Sequence, residues 1–353
     1  MTDANEYLAS IEFREDDFQL KNSELVKIDN NFASQSFWRD AGVRFVKNKG
    51  AVVALFMIFI IVLLAIFGPM TSGRTYYDQN LVDSNLAPRV PGIENLGIMD
   101  GNETIKTTTG SKIKNGYIIN QETGEKNDTY YWFGSDTLGR DIWTRTWTGT
   151  RVSLYIAIVA VLIDMIIGLS YGLISGYFGG RVDSIMQRFA EIVNSIPTLV
   201  IVTLLMLVLK PGLMTITFAL MITGWIGMAR IARAQMLKLK EQEFVLASRT
   251  LGAKDFFIIF KEILPNIIGQ LITNTMFSIP NAIFTEAFLS FVGLGMPEPM
   301  PSLGSLISYA FQNFTTHFYQ IVPPVIVLAL LMLCFNMLAD GLRDALDPKM
   351  KRA

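Results

Sequence analysis

The stretch Glu243-Phe-Val-Leu-Ala-Ser-Arg-Thr-Leu-Gly252, which runs on to Ile263-Leu-Pro-Asn266, is charged and helix-forming and lies between long apolar runs. Phe244, Ala247 and Leu251 are spaced so that they share one face of a helix. A short amphipathic helix between membrane spans suits docking into a groove of a soluble protein. The alternative is a helix that lies on the membrane surface, and periodicity alone does not separate the two.

A second short helix is predicted directly after this one. Gly252 ends the first helix, because glycine is the usual residue just past a helix C-terminus. Lys254 to Ile263 can then form another helix, with Phe256, Phe257 and Phe260 as its apolar flank. Pro265 opens the next span, at a position where a missing N–H is tolerated.

The composition is that of a polytopic membrane protein. Of the 353 residues, 51% are hydrophobic and 17% are charged, and the mean hydropathy is +0.37. The net charge of −1 gives no field that would favour nucleic acid. Apolar runs predict six transmembrane helices; they lie near Ala51–Pro69, Val152–Gly176, Ile192–Leu209, Leu213–Ala229, Ile267–Phe291 and Ile321–Ala339. We therefore expect an all-α polytopic fold with a small extracytoplasmic insertion.

This pattern also gives a domain organisation. We expect a cytoplasmic leader with an interfacial segment, a first span, an extracytoplasmic lobe, a core of five spans and a cytoplasmic tail. The boundaries are 1–50, 51–70, 71–150, 151–342 and 343–353, and the core includes the segment 239–264. The first apolar run starts only near Ala51, behind a polar leader, so no cleavable signal peptide is expected.

Lysine and arginine set the expected orientation. They precede the first span, recur after the second and the fourth, and end the chain, whereas the range from Gly293 to Gln320 contains none. The positive-inside rule therefore places both termini and the Glu243 loop in the cytoplasm. The range 71–150 then lies outside, and its turn signals and short β-prone runs predict a hairpin-bearing lobe.

Within the spans, small and polar residues are candidates for mechanism. Gly168, Gly172 and Gly176 recur every fourth residue, with Gly180 just beyond, and predict a flat stripe for close helix packing; a sliding surface is the alternative. Asp164, Glu191 and Glu286 are acidic residues in or near spans, where charges usually face protein or water. Pro197 and Pro280 should kink or break their helices. The candidates to line a path are Asp164, Pro197, Asn281 and Glu286.

Several kinds of chemistry are excluded. One cysteine, Cys334, and one histidine, His317, cannot assemble a disulfide, a zinc site or a nucleophile–histidine set. No metal site and no catalytic residue are predicted, nor is a cofactor bound by this chain. The sequence contains no Gly-x-x-x-x-Gly-Lys-Ser/Thr phosphate loop, so any energy from ATP has to arrive through a partner.

At this point the chain resembles the permease subunits of bacterial peptide ABC importers, of the oligopeptide/dipeptide C-type. Their cytoplasmic motif reads Glu-Ala-Ala, three residues, Gly, nine residues, Ile-x-Leu-Pro. Matching positions are held by Ala247, Gly252, Leu264 and Pro265, and the departures are Leu246, Ser248 and Glu262. Glu243, one helical turn earlier, is the alternative source of the motif's carboxylate.

Other stretches carry the same resemblance. They are Phe133 to Leu154, with Gly-Ser-Asp136 and Gly139-Arg140-Asp141; Glu286 to Pro299; Asp340 to Pro348; and Ser36 to Arg39. The resemblance covers most of the chain, except for Met1 to about Gln35 and roughly Leu86 to Tyr130, which look like additions. We suggest that the Leu86–Tyr130 addition touches the binding protein or the companion permease.

The resemblance implies half of the channel of a type I ABC importer. Its implied partners are a homologous second permease, two ATPase subunits that bind ATP, an extracytoplasmic peptide-binding protein, the peptide itself and membrane lipid. The segment 239–264 is then the coupling segment. Its implied coupling residues are Glu243, Phe244, Ala247, Ser248, Gly252, Ala253, Leu264 and Pro265.

Two alternatives remain open at this level. Permeases for nickel and other small solutes share these motifs, so the architecture is better specified than the substrate. An ion-coupled secondary transporter would use Asp164 and Glu286 as proton carriers, but that scheme gives the basic loop no role and needs inverted repeats that the sequence does not show.

Overall fold

The structure is a computed structural model that describes residues 37–107, 110–120, 125–126 and 128–346. The leader up to residue 36 and the tail from residue 347 lie outside the described residues, as does Ser36 of the resembling N-terminal stretch. The chain divides into a unit up to Val43 and a unit from Arg44 onward. The description below concerns the second.

The prediction of an all-α polytopic fold is confirmed. The helices are α1 (Phe37–Lys47), α2 (Lys49–Thr71), α3 (Ile142–Phe178), α4 (Gly180–Asn194), α5 (Thr198–Leu209), α6 (Leu213–Leu239), α7 (Glu243–Thr250), α8 (Asp255–Phe257), α9 (Leu264–Phe291), α10 (Leu303–Gln312) and α11 (Val322–Leu346). A π-helical segment, Ile258–Ile263, joins α8 to α9 without a break.

Among the described residues, five helical stretches are long and apolar enough to cross a membrane, and the bent pair α4 and α5 makes a sixth if it counts as one span. The pair bends by 76° between Asn194 and Thr198, at the Ser-Ile-Pro197 break. The predicted third span from Ile192 therefore starts inside α4, whose own residues are too polar to have been read as part of an apolar run. By contrast, Pro280 lies inside the uninterrupted α9.

The second span begins earlier than the apolar run predicted. Helix α3 starts at Ile142, ten residues before Val152, because the Asp141 carboxylate caps it by accepting from the backbone N–H of Thr144 at 3.2 Å. Its first turns are polar in sequence but buried, with Arg145 only 1% exposed. Trp143 donates to the Gly68 carbonyl at 2.9 Å and so fastens this extension to α2.

The bundle packs in two main clusters of apolar side chains. One joins α2, α3, α9 and α11, and Ile58, Leu154, Ile283 and Leu331 are among its members. The other joins α3, α6, α7 and the π-helical segment through Leu173, Met236, Val245 and Ile263, among others.

Residues 72–141, called the lobe below, lie between α2 and α3. They contain two antiparallel pairs, β1 (Asn102–Thr107) with β2 (Gly110–Asn115) and β3 (Ile118–Asn120) with β4 (Glu125–Lys126), in line with the predicted hairpin. The lobe is tied to the connection between α10 and α11. Tyr319 donates to the Ser135 carbonyl at 3.0 Å, and His317 contacts Glu103 at 2.9 Å.

Candidate coupling and translocation sites

Helix α7 is held to the bundle by one apolar side chain. Val245 is fully buried and packs in the cluster that contains Met236 and Ile258. Residue Gln242, which precedes the helix, is extended and forms no side-chain cap. An eight-residue helix is too short to be stable alone, so its contacts with the rest of the chain determine its position.

The coupling segment (residues 239–264) exposes several large apolar side chains. Phe244 and Leu246 are 41% and 48% exposed, Leu251 is 87% exposed and Phe256 is 75% exposed. Single exposed apolar residues are ordinary, but several large ones within one short segment favour contact with another molecule.

The coupling segment is also fastened to the end of α3. The Tyr177 hydroxyl donates to the Asp255 carboxylate at 2.6 Å, and the Arg249 guanidinium lies 5.5 Å from the centre of the Tyr177 ring. These contacts connect α7 and α8 to a second membrane helix besides α6.

Two departures from the family motif meet each other in the structure. The Ser248 hydroxyl lies 2.7 Å from both carboxylate oxygens of Glu262. The pair joins α7 to the π-helical segment across the turn that contains Gly252, whose φ is +81°. Isolated π-turns occur frequently at functional sites, and this one leads directly into α9.

The remaining predicted coupling residues lie along the same segment. Glu243 is the exposed first residue of α7, and Ala247 is exposed one turn later. Ala253 donates its N–H to the Ser248 carbonyl at 3.0 Å. Leu264 is half-buried and Pro265 exposed at the start of α9, so Pro265 follows a continuous helix and does not open a separate one.

The glycine stripe lies against α6. A Cβ atom at Gly168 or Gly172 would collide with the carbonyl oxygens of Trp225 or Ala229, and one at Gly176 would meet the side chain of Met236. The two helices approach closely along the stripe, which is the geometry that small residues permit. Gly180 is not part of this contact, because it begins α4.

Below this stripe, an ion pair that sequence reasoning missed joins α4 to α6. Arg233 donates from Nε and Nη2 to the two oxygens of Asp183, both at 2.6 Å. Ser175 of α3 donates to the same carboxylate. Asp183 and Arg233 are fifty residues apart in sequence, so the pair becomes apparent only when the fold brings α4 next to α6.

Glu286 lies inside the chain and not on a surface. It is fully buried on α9, and the hydroxyls of Ser153 and Ser290 donate to its two oxygens at 2.6 and 2.8 Å. Ser302 donates in turn to Ser290 at 3.1 Å. Among the residues predicted to line a path, Glu286 is the one that is fully buried in this structure.

The network around Glu286 begins at the N-terminus of α10. The backbone N–H of Leu303 donates to Ser153 at 3.2 Å, and that of Ser305 donates to Ser302 at 3.3 Å. Two chains of hydrogen bonds, one through Ser153 and one through Ser302 and Ser290, therefore connect the N-terminus of α10 to the Glu286 carboxylate. Helix N-termini favour acidic groups, which accounts for a glutamate buried here with no basic partner among the described residues.

Asp164 has the opposite surroundings. It is half-buried on α3 beside Gly224 of α6, and its Oδ1 has no hydrogen-bond partner among the described residues. No hydrogen bond or ion pair between described residues joins it to Glu286.

The other predicted residues in or near spans lie on the surface of the chain. Pro197 is exposed at the break between α4 and α5, and Asn281 is exposed on α9. Glu191 forms an exposed pair with Arg188 at 3.0 Å.

A second polar cluster that sequence reasoning missed lies where the lobe meets α3. Arg140 donates to Asp136 at 2.6 Å and to Glu298 at 2.9 Å, and the buried Arg145 lies 3.8 Å from both carboxylates. Within the described part of the chain, no group of three or more histidine, cysteine, aspartate and glutamate side chains is placed to hold a metal ion.

Comparison with known proteins gives two family matches. A family described as the binding-protein-dependent transport system inner membrane component matches residues 165–352. The N-terminal transmembrane domain of oligopeptide transport permease C matches residues 36–88.

Individual relatives match over nearly the whole chain. The oligopeptide transport system permease protein OppC of Bacillus subtilis is 42% identical over 90% of this chain and 92% of its own length. The dipeptide transport system permease protein DppC of the same organism is 40% identical over 90% and 88%. A solved structure of the MetNI methionine ABC transporter, inward facing, covers 56% of this chain and 94% of its own, with 19% identity and a TM-score of 0.48.

Proposed function

The chain belongs to the family of binding-protein-dependent transport system inner membrane components, and we propose that it is the permease subunit of an ATP-driven importer of di- and oligopeptides. The observation that carries the peptide assignment is the similarity, above 40% identity and along nine-tenths of the chain, to an oligopeptide permease. A permease for nickel or another small solute is the second candidate within the same family.

The chain is a multi-pass protein of the cytoplasmic membrane. We propose that both termini and the coupling segment face the cytoplasm and that the lobe faces outward. The basic residues after α6 support this orientation, as does their absence between Gly293 and Gln320.

In this proposal the chain hydrolyses no ATP itself and binds no cofactor. Two ATPase subunits bind the ATP, one of them docks on the exposed apolar side of the coupling segment, and a homologous second permease completes the channel. An extracytoplasmic peptide-binding protein delivers the substrate. Closure of the ATPase pair moves α7, and the π-helical segment passes that movement to α9.

ATP drives such a cycle only if it binds the two conformations of the complex with different affinity. Peptides of many sequences pass through the interface between the two permeases. Asp164, Pro197 and Asn281, which are at least partly exposed on this chain, are proposed to face that path.

The burial of Glu286 argues against an ion-coupled carrier. A proton carrier has to meet water during its cycle, whereas this carboxylate is fully buried and accepts donors on both oxygens. Of the two proton carriers named for that scheme, this leaves Asp164.

The test is uptake of labelled di-, tri- and longer peptides by cells that lack the chain, compared with the same cells carrying it. Each measurement is made with and without ATP depletion at a maintained proton gradient. We expect restored uptake that ends when ATP is depleted. Uptake that survives ATP loss would contradict the proposal, and restoration of nickel but not of any peptide would favour the second candidate.

A further inference from the structure

Besides the contact of Arg249 with the Tyr177 ring, α7 is attached at one apolar and one polar side chain. Val245 is fully buried, and Ser248, three residues later, lies 2.7 Å from both oxygens of Glu262. Residues three apart lie on the same side of a helix. Phe244 and Leu246 flank this side and are exposed.

The polar contact fixes the rotation of α7 about its own axis, which the apolar contact alone does not. A short helix held by a single apolar side chain remains free to turn about its own axis, because apolar contacts have no direction. A hydrogen bond is directional, so the Ser248–Glu262 contact sets the angle at which Phe244 and Leu246 face outward.

The partner of Ser248 is also placed to transmit movement. Glu262 belongs to the π-helical segment Ile258–Ile263, which continues into α9. The hydrogen bond therefore connects α7 to the base of a membrane span by a shorter route than the backbone around Gly252.

We infer that Ser248 and Glu262 are positioning residues that set the orientation of the ATPase-docking helix and couple its movement to α9. This inference rests on the proposed function and deepens it. Loss of the Ser248 hydroxyl leaves the half-buried Glu262 carboxylate without a side-chain partner among the described residues. Removal of both the hydroxyl and the carboxylate leaves no polar group that needs a partner.

The experiment measures peptide transported per ATP hydrolysed by the complete complex in proteoliposomes, with its binding protein present. Ser248→Ala and Glu262→Ile each remove the contact and should each lower this ratio about threefold or more, because ATP hydrolysis continues while its movement is passed on poorly. Ser248→Thr keeps a hydroxyl and should restore the ratio. The double variant Ser248→Ala/Glu262→Ile should lie closer to the unsubstituted protein than Ser248→Ala does.

Ser184→Ala is the matched control, because Ser184 is exposed on α4 and its hydroxyl bonds only to the Gly180 carbonyl of its own helix turn. An unchanged ratio in Ser248→Ala would overturn the inference. A double variant no better than the single one would overturn it too, since a pairwise contact predicts recovery.

A second measurement tests the pair without relying on transport. In the purified full-length chain, trypsin should cut after Arg249 and Lys254 several times faster in Ser248→Ala than in the unsubstituted protein, because the turn between them opens more often. Equal cleavage rates would overturn the inference. Absence of ATP-dependent uptake by the unsubstituted complex would count against the proposed function, and the cleavage rates would still decide the role of the pair.

Discussion

The two ends of the bundle each hold a short helix, α10 at the lobe end and α7 at the coupling end, by different kinds of contact. At the lobe end, α10 is anchored by the fully buried Glu286, which receives donors through Ser153 and Ser290. At the coupling end, α7 is anchored by Val245, one serine–glutamate contact and the contact of Arg249 with the Tyr177 ring, while Leu251 stays 87% exposed. Glu286 thus has a donor for each oxygen within the chain, whereas the coupling end leaves large apolar side chains exposed.

Glu286 and Asp164 show a similar contrast within the spans. Glu286 has a donor for each oxygen, but Asp164 leaves Oδ1 without a partner among the described residues. A buried carboxylate whose oxygens are both satisfied holds elements together, whereas a buried oxygen without a partner does not stabilise the chain in this way. We therefore regard Glu286 as part of the scaffold and Asp164 as the acidic candidate for the path.

The largest effect is expected at the contact between α3 and α6, because both ends of the bundle depend on this packing. Gly172→Val would place side-chain atoms on the Ala229 carbonyl and force α3 and α6 apart. We expect little folded protein, measured as monodisperse chain after membrane extraction. Gly227→Ala, at a glycine on α6 with no neighbouring atom within 4 Å, is the control and should be recovered normally.

Glu286→Ala tests the lobe end alone. It strands the hydroxyls of Ser153 and Ser290 in a buried site, so we expect the free energy of unfolding to fall by about 3 kcal/mol. Thermal denaturation in detergent measures the change. Thr285→Ala is the control, because its hydroxyl bonds only to the Asn281 carbonyl of the preceding turn. Equal stability of the two variants would contradict a self-contained lobe end.

Gly252→Pro tests the coupling end. Proline cannot adopt the φ of +81° found at Gly252, and it removes the N–H that donates to the Arg249 carbonyl at 3.0 Å. We expect membrane insertion and thermal stability of the bundle to remain, while peptide uptake falls at least about tenfold because the docking helix is displaced. Normal uptake in this variant would refute the role of the coupling segment.

The smallest effect on the chain itself is expected from Leu251→Ser. The side chain is 87% exposed, so stability should change by less than about 0.5 kcal/mol. Affinity for the ATPase subunits should weaken about tenfold, because an apolar contact worth about 1.4 kcal/mol is lost at the interface. Leu81→Ser in the lobe, where Leu81 is 69% exposed, should change neither quantity. Equal ATPase affinity in both variants would remove Leu251 from the docking surface.

Hydropathy along the sequence identified most of the membrane spans, because each span contains a long apolar run. It missed the early start of α3, since Arg145 and its polar neighbours are buried by packing that hydropathy does not register. It treated Ser248 and Glu262 as separate departures from a motif, although they form one contact. The partners of Asp183 and Glu286 are far away in sequence, and only the folded chain brings Arg233 and Ser153 to them.

Hydrogen–deuterium exchange of the full-length chain, with and without its ATPase subunits, tests the contrast between the two ends most directly. We predict that the amides of residues 243–254 exchange quickly in the chain alone and become protected when the ATPase subunits are added. The amides around Glu286 and at the start of α10 should be protected in both samples. Protection of residues 243–254 without any ATPase, or a change confined to the lobe end, would contradict the account.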